Sequence, residues 1–354
     1  MSTPNPIATQ ATPIPTISKS TLPIAGLHVD IYGLAELPPS ATSISCLWLH
    51  HPRLQSKECM TDIASLSVNA WNSHSTPLPS SSSSSRGLIA VAFDQRNHGT
   101  RLISAIANEA WRSGNKTHAQ DMFGTISGMV VDTGILMDLL EGYLFGNGNG
   151  PGASVSGVER RIDQHLALGV SLGGHSVWQL MFAEPRVCAG VAIIGCPDYM
   201  YIISDRARLS RLDTYSAVDN GASFLGSKDF PTALVQMCKK YDPKGILFGT
   251  DEISYPTSEA EQKRLAPLLD SRVRGKKFQV LSGGADKLVP YAKSEPFLKF
   301  LKDAAGSWYN GAISVEDIVY ADVGHEFNAD MMKDAVRFIV DTVSVAEGKV
   351  LPKI

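Results

Sequence analysis

The chain reads as an α/β protein built on a mostly parallel sheet, and three observations lead there. Short apolar runs recur along the sequence with helix-length segments between them, which is the pattern of βαβ units. The runs are compact and apolar enough to be buried strands. Each ends in a loop carrying polar residues, and an open parallel sheet places its functional groups on such loops.

Residues 1–20, rich in Pro, Thr and Ser, read as a mobile arm. Leu22 to Leu34 reads as one or two strands, and Ile44-Ser-Cys-Leu-Trp-Leu-His50 as a buried strand ended by Pro52. Glu58 to Trp71 has helical spacing, and Pro77 to Arg86, with its run of serines, reads as a solvated loop. Gly87 to Phe93 is a second buried strand, followed by Asp94-Gln-Arg-Asn-His-Gly99. His118 to Leu144 is helical in period, although Gly124, Gly128 and Gly134 interrupt it. After a Gly-rich loop over Asn147 to Gly157, further strands fall at Leu166–Val170, Cys188–Ile194, Phe278–Leu281 and Ile318–Tyr320. A helix over Asn328 to Ala346 closes the chain. The expected organisation is a core of residues 21–197 and 272–354, with residues 198–271 inserted as a small helical cap.

Composition narrows the function classes. With 354 residues, 44% hydrophobic and 19% charged, the chain can bury a sizeable core. A net charge of −3 and the lack of a basic run with interleaved aromatics give no footprint for nucleic acid. The N-terminus has no secretory pattern and no single apolar run reaches bilayer length, so a cytoplasmic protein without a membrane span is expected. The five cysteines show no C-x-x-C spacing and read as reduced thiols. Neither a metal nor an organic cofactor is expected. The partner implied is a small-molecule substrate.

The chemistry concentrates in His165-Leu-Ala-Leu-Gly-Val-Ser-Leu-Gly-Gly-His175. An apolar run enters Gly169-Val-Ser-Leu-Gly173, the G-x-S-x-G pattern of a sharp strand-to-helix turn that presents one hydroxyl. Serine is a weak nucleophile without a base, histidine is the natural base, and a carboxylate orients the imidazole. Later strand ends supply both: Asp286 in Ser282-Gly-Gly-Ala-Asp286, and His325 in Ala321-Asp-Val-Gly-His325. The long stretch from Ser171 to Asp286 leaves room for a cap, and the short one to His325 for one helix and one strand.

With those residues in the chain order Ser…Asp…His, the sequence resembles the α/β-hydrolase superfamily over roughly residues 22–346. The resemblance rests on the elbow, on Gly284-Ala-Asp286 with Val289-Pro290, on Gly324-His325, and on Asp94-Gln-Arg-Asn-His-Gly99. It implies the α/β-hydrolase fold with a small helical cap, and a serine hydrolase acting on a carboxylic ester through Ser171, Asp286 and His325. Asp198, after the preceding strand, is the competing carboxylate. Asp94 and His98 read as loop-shaping residues, and His175 as locally packed. The N–H of Leu172 is one expected oxyanion donor. The second comes from the turn Leu49-His-His-Pro-Arg-Leu54: if Pro52 stands where the family has glycine, Arg53 supplies it, and one residue earlier Pro52 itself would stand there with no N–H. Arg53 is the favoured reading, and its side chain either meets an acidic substrate group or simply lies at the surface. His51, Tyr199 and Met200 are expected to line the substrate pocket. The same three residues would also serve peptide, amide or carbon–carbon hydrolysis, or release or cyclisation of a secondary metabolite. A non-catalytic binding protein is the alternative from another class.

Overall fold

The computed structural model describes residues 5–7, 13–74, 86–146, 150–153 and 159–347. The loop expected over Pro77–Arg86 lies almost wholly outside the described residues, as do the greater part of Asn147–Gly157 and residues 1–4 and 8–12 of the N-terminal arm. Where that arm is described it has partners. The Pro6 carbonyl accepts a 2.6 Å bond from Phe327 N–H, and Ile7 bridges Phe327. Lys19 and Ser20, read from the sequence as the end of the arm, are instead the first residues of a strand.

Eight strands form one sheet: β1 (Lys19–Ile24), β2 (Leu27–Tyr32), β3 (Ser43–His50), β4 (Gly87–Phe93), β5 (Arg161–Val170), β6 (Val187–Ile193), β7 (Lys277–Gly283) and β8 (Ser314–Tyr320). Their spatial order is β1-β2-β4-β3-β5-β6-β7-β8. β1 and β2 form an antiparallel hairpin, β2 joins β4 antiparallel, and every later pairing is parallel. The hairpin turns through Ala25 and Gly26, at φ 51° and 78°, the twist that a two-residue hairpin needs. With helices on both faces, this order is that of the α/β-hydrolase fold.

The buried apolar residues of β3 to β7 alternate between two separate layers. Ile44, Cys46 and Trp48 face one layer with Ile89, Val91 and Phe93, while Leu47, Leu49, Leu88 and Ala90 face the other. The first layer is covered by α2 (His118–Phe145), α3 (Leu172–Ala183), α7 (Glu259–Val273) and α8 (Tyr291–Asp303); the second by α1 (Thr61–His74) and α9 (Ala329–Glu347). Trp178 of α3 stacks on Phe278 at 5.5 Å and meets Phe297 edge-on at 5.8 Å, locking α3 between β7 and α8.

Two elements depart from the sequence expectation. β5 starts at Arg161, earlier than the apolar run, because its polar first half finds partners: Asp163 pairs with Arg86, and Gln164 accepts from the Ser45 hydroxyl at 2.5 Å. The insertion is also divided. α4 (Tyr199–Ser210) and α5 (Thr232–Tyr241) pack in a third apolar cluster with Phe123 and Leu172. α6 (Pro243–Phe248) and α7 instead bury Leu247, Leu265, Leu269 and Val273 in the main core beside α3. Residues 198–271 are therefore not one cap body, because the apolar face of α7 belongs to the sheet layer.

α2 is long and apolar enough, by length and composition alone, to cross a bilayer. Reading run by run missed this because His118, Asp121, Asp132 and Asp138 break the sequence. In the fold, its inner face, including Met129, Leu136, Leu140 and Leu144, packs in the sheet layer. Its glycines differ in surroundings. A Cβ at Gly124 would meet open space, whereas one at Gly128 would run into the Arg96 side chain, which is paired with Asp132 at 2.9 Å. Gly124→Ala is expected to stabilise the protein by about 0.5–1 kcal/mol through helix propensity. Gly128→Ala is expected to destabilise it, and chemical-denaturation midpoints of the two variants provide the check.

Candidate active site

β5 delivers the chain into the turn at Ser171. The serine holds φ 55° and ψ −111°, a conformation that costs a non-glycine residue about 1–3 kcal/mol unless its surroundings enforce it. They do so from both sides. Ser171 N–H donates to the Ile193 carbonyl at 2.9 Å, and the Ser171 carbonyl accepts from His175 N–H at 3.1 Å. The flanking glycines are required sterically. A Cβ on Gly169 would strike the Gly173 carbonyl, and one on Gly173 would strike the His50 carbonyl at the end of β3.

The hydroxyl held by this turn faces an imidazole. Ser171 Oγ lies 2.8 Å from His325 Nε2, and His325 Nδ1 lies 2.8 Å from Asp286 Oδ2. With the Nδ1 proton donated to the carboxylate, Nε2 is left to accept from the serine hydroxyl. The other oxygen of Asp286 accepts from the N–H groups of Leu288 and Val289 at 2.7 and 2.9 Å. Burial alone would raise this carboxyl, but the bond from His325 and the two N–H groups hold it below the usual carboxylate range. Asp198 is placed elsewhere. It caps α4 by accepting from Tyr201 N–H at 3.0 Å, and burial raises its carboxyl.

The segment after β4 is a structural knot. Asp94 accepts from Lys57 N–H, Thr100 N–H and the Thr100 hydroxyl at 2.8–2.9 Å. His98 Nδ1 bonds the Arg96 carbonyl at 3.0 Å. His51 belongs to this knot rather than to an open pocket wall. It is fully buried, Nδ1 donates to the Pro52 carbonyl at 2.8 Å, and Nε2 accepts from Gln95 N–H at 2.9 Å, so neither ring nitrogen is left for a ligand. His175 packs against the Cys196 backbone.

Tyr199 is likewise committed. Its hydroxyl donates to the Ala119 carbonyl at 2.6 Å and its ring meets Phe123 edge-on at 4.9 Å, tying α4 to α2. Met200 lines a cavity of about 390 Å³ with Asp198, Tyr201, Lys244 and Glu252, and neither Ser171 nor His325 is among its walls. Leu172 is the first residue of α3, so its N–H belongs to the unpaired first turn of a helix. The turn facing it closes through Gln55 N–H to the Pro52 carbonyl at 3.4 Å, with Leu54 at φ 63° and Arg53 between them.

Sequence reading singled out Arg53 but missed Arg206 and His118, which interact with it electrostatically near the Asp286 loop. Arg206, on α4, reaches within 3.5 Å of the Leu288 carbonyl, while Arg53 Nη1 donates to the Asn108 carbonyl at 2.8 Å. His118 opens α2, bonds the Glu109 carbonyl through Nδ1 at 2.8 Å and packs on Trp111 at 4.8 Å. Nothing in the sequence marks Arg206, because Asp205-Arg-Ala-Arg208 is indistinguishable from a solvated helix face. Among the described residues, no group of three or more His, Cys, Asp or Glu side chains is arranged to hold a metal ion.

The sequence matches no protein-family model and no curated protein. Solved structures resemble it at low identity. The TT1662 protein of Thermus thermophilus is 14% identical, with 95% of this chain and 100% of that one covered and a TM-score of 0.47. The Pyrococcus furiosus esterase Pf2001 is 12% identical, with 97% and 98% covered and a TM-score of 0.46. A putative dipeptidyl aminopeptidase IV from Bacteroides ovatus is 14% identical, with 95% of this chain but 36% of that one covered and a TM-score of 0.47. The strand order, the turn at Ser171 and the order Ser…Asp…His make this a protein of the α/β-hydrolase fold with a serine-centred site.

Burial has an electrostatic consequence for the histidines inside the fold. It lowers His50 and His118 to about 3, and His51, His165 and His175 to about 4, from an ordinary 6.5. An unfolded chain takes up these protons near pH 6.5, whereas the folded one refuses them until pH 3–4. Stability is therefore lost as pH falls through that window. Each such histidine is expected to cost about 1 kcal/mol by pH 5.5, so denaturant midpoints should drop sharply between pH 7 and pH 5. A flat profile over that range would contradict the neutral assignments.

Proposed function

We propose that the protein is a serine hydrolase that cleaves a carboxylic ester through an acyl-enzyme. The observation that supports this most directly is the unbroken line from Ser171 Oγ through His325 to Asp286, two contacts of 2.8 Å starting from a strained serine.

In this reading the Ser171 oxygen attacks the ester carbonyl while His325 Nε2 takes its proton. The carbonyl oxygen becomes an oxyanion, held by the N–H groups of Leu172 and Arg53. Collapse breaks the bond to the alcohol oxygen, which leaves with the proton from His325. Water then gives its proton to His325, attacks the acyl-enzyme, and releases the acid with Ser171 restored. Asp286 keeps the imidazole in the tautomer that can accept at Nε2 and stabilises the imidazolium as it forms. No step calls on a group outside the chain, the substrate and water.

Ser171→Ala is expected to abolish turnover of short p-nitrophenyl esters and labelling by a fluorophosphonate while the fold is retained. Equal turnover by the variant and the parent would overturn the reading. Asp286→Asn is expected to lower kcat by about 10⁴ through loss of the correct tautomer. Asp198→Asn is expected to retain turnover, because its carboxylate caps a helix; a loss as large as that of Asp286→Asn would reassign the acid.

A further inference from the structure

Arg206 is unusual for an arginine. It stands on α4 at the edge of the site, and its Nε is buried with no hydrogen-bond partner among the described residues. No carboxylate among them lies within ion-pair distance of its guanidinium. The one acid acting on it from the site is Asp286, whose two oxygens already serve His325, Leu288 and Val289. A cation drawn partly out of water without a counter-charge is costly, and an anion meeting it would offset that cost.

Its neighbours point the same way. Arg53 carries a second guanidinium close enough that the two repel: burial, and then the charge of Arg53, push Arg206 down to about 10. Both arginines also act, after burial, to lower His118. Trp111, packed on His118, has a buried Nε1–H donor with no partner among the described residues. Three elements thus bring positive charge and an unspent donor toward the Asp286 loop: α4, the turn after β3, and the short turn at Trp111 ahead of α2. A neutral acyl chain would leave the Arg206 Nε–H and the Trp111 N–H without an acceptor.

Resting on the hydrolase reading, we propose that the substrate is an ester carrying a carboxylate, and that Arg206, with Arg53 beside it and the Trp111 N–H, receives that anion while Ser171 attacks the ester carbonyl. Arg206 acts as a specificity-determining residue. Its planar fork suits a carboxylate, which a lysine would meet only as a point charge.

The test compares two matched pairs of esters on the full-length protein. One pair is p-nitrophenyl hydrogen adipate against p-nitrophenyl hexanoate, with the carboxylate on the acyl side. The other is p-carboxyphenyl hexanoate against phenyl hexanoate, with it on the alcohol side. The wild type is expected to favour the anionic member of at least one pair by about tenfold or more in kcat/KM, the scale of one charge-assisted contact. Arg206→Gln is expected to lower that ratio about tenfold, with Arg206→Lys in between. No anionic preference in either pair would overturn the proposal, whether or not the variants fold. An equal loss on both members of a pair would also overturn it, and would make Arg206 only a brace for the Leu288 loop. If no ester is turned over, the hydrolase reading fails and calorimetry with adipate decides the anion site. Binding that weakens at least tenfold in Arg206→Gln upholds the site, and no binding to the wild type overturns it.

Discussion

The structure depends on how closely the backbone approaches itself at the β5–α3 turn. Three strands converge there. β3 brings the His50 carbonyl against Gly173, β5 ends in the serine, and β6 offers the Ile193 carbonyl to Ser171 N–H. A side chain at Gly173 would push β3 away, and one at Gly169 would force open the turn itself. The strain at Ser171 is offset by packing that makes any relaxed geometry unavailable to it, with α3 clamped through Trp178 between β7 and α8. The same packing that stabilises the sheet therefore aims the hydroxyl.

Much of this arrangement was legible in the sequence because it is local. Apolar runs placed most of the strands, and the polar residues just past them are those that a parallel sheet gathers along one edge. Ser171, Asp286 and His325 could be read as neighbours for that reason, and their hydrogen bonds follow from strand ends that register carries to the same rim. The early start of β5 was hidden because its first half is polar and is held by Arg86 and Ser45, partners far away in sequence. α7 was assigned to the insertion because its amphipathic pattern says that it buries a face, not which layer receives that face.

The site's wall was the least legible part. His51 looked like a loop histidine open to a ligand, and only the Gln95 N–H against its ring shows it to be structural. Tyr199 and Met200 follow a strand end as pocket residues would, yet one is an anchor on Ala119 and the other faces a separate cavity. Arg206 carried no signal at all, since its setting is made by α2, the turn after β3 and the loop after β7 together. Charge taken out of water by tertiary packing leaves no trace in local pattern.

The pairing of Phe327 with Pro6 bears on the order in which the molecule can be completed. Strand β8 pairs with β7 alone, and the loop carrying His325 is then fastened by residues from the opposite end of the chain. Such a contact has nearly the longest sequence separation the chain offers and forms late, after the loop-closure entropy of the intervening sheet has been met. A chain emerging from synthesis thus has its serine turn long before its imidazole. The imidazole that faces Ser171 lies 154 residues further along the chain, and its loop is fastened only once Pro6 and Phe327 have met.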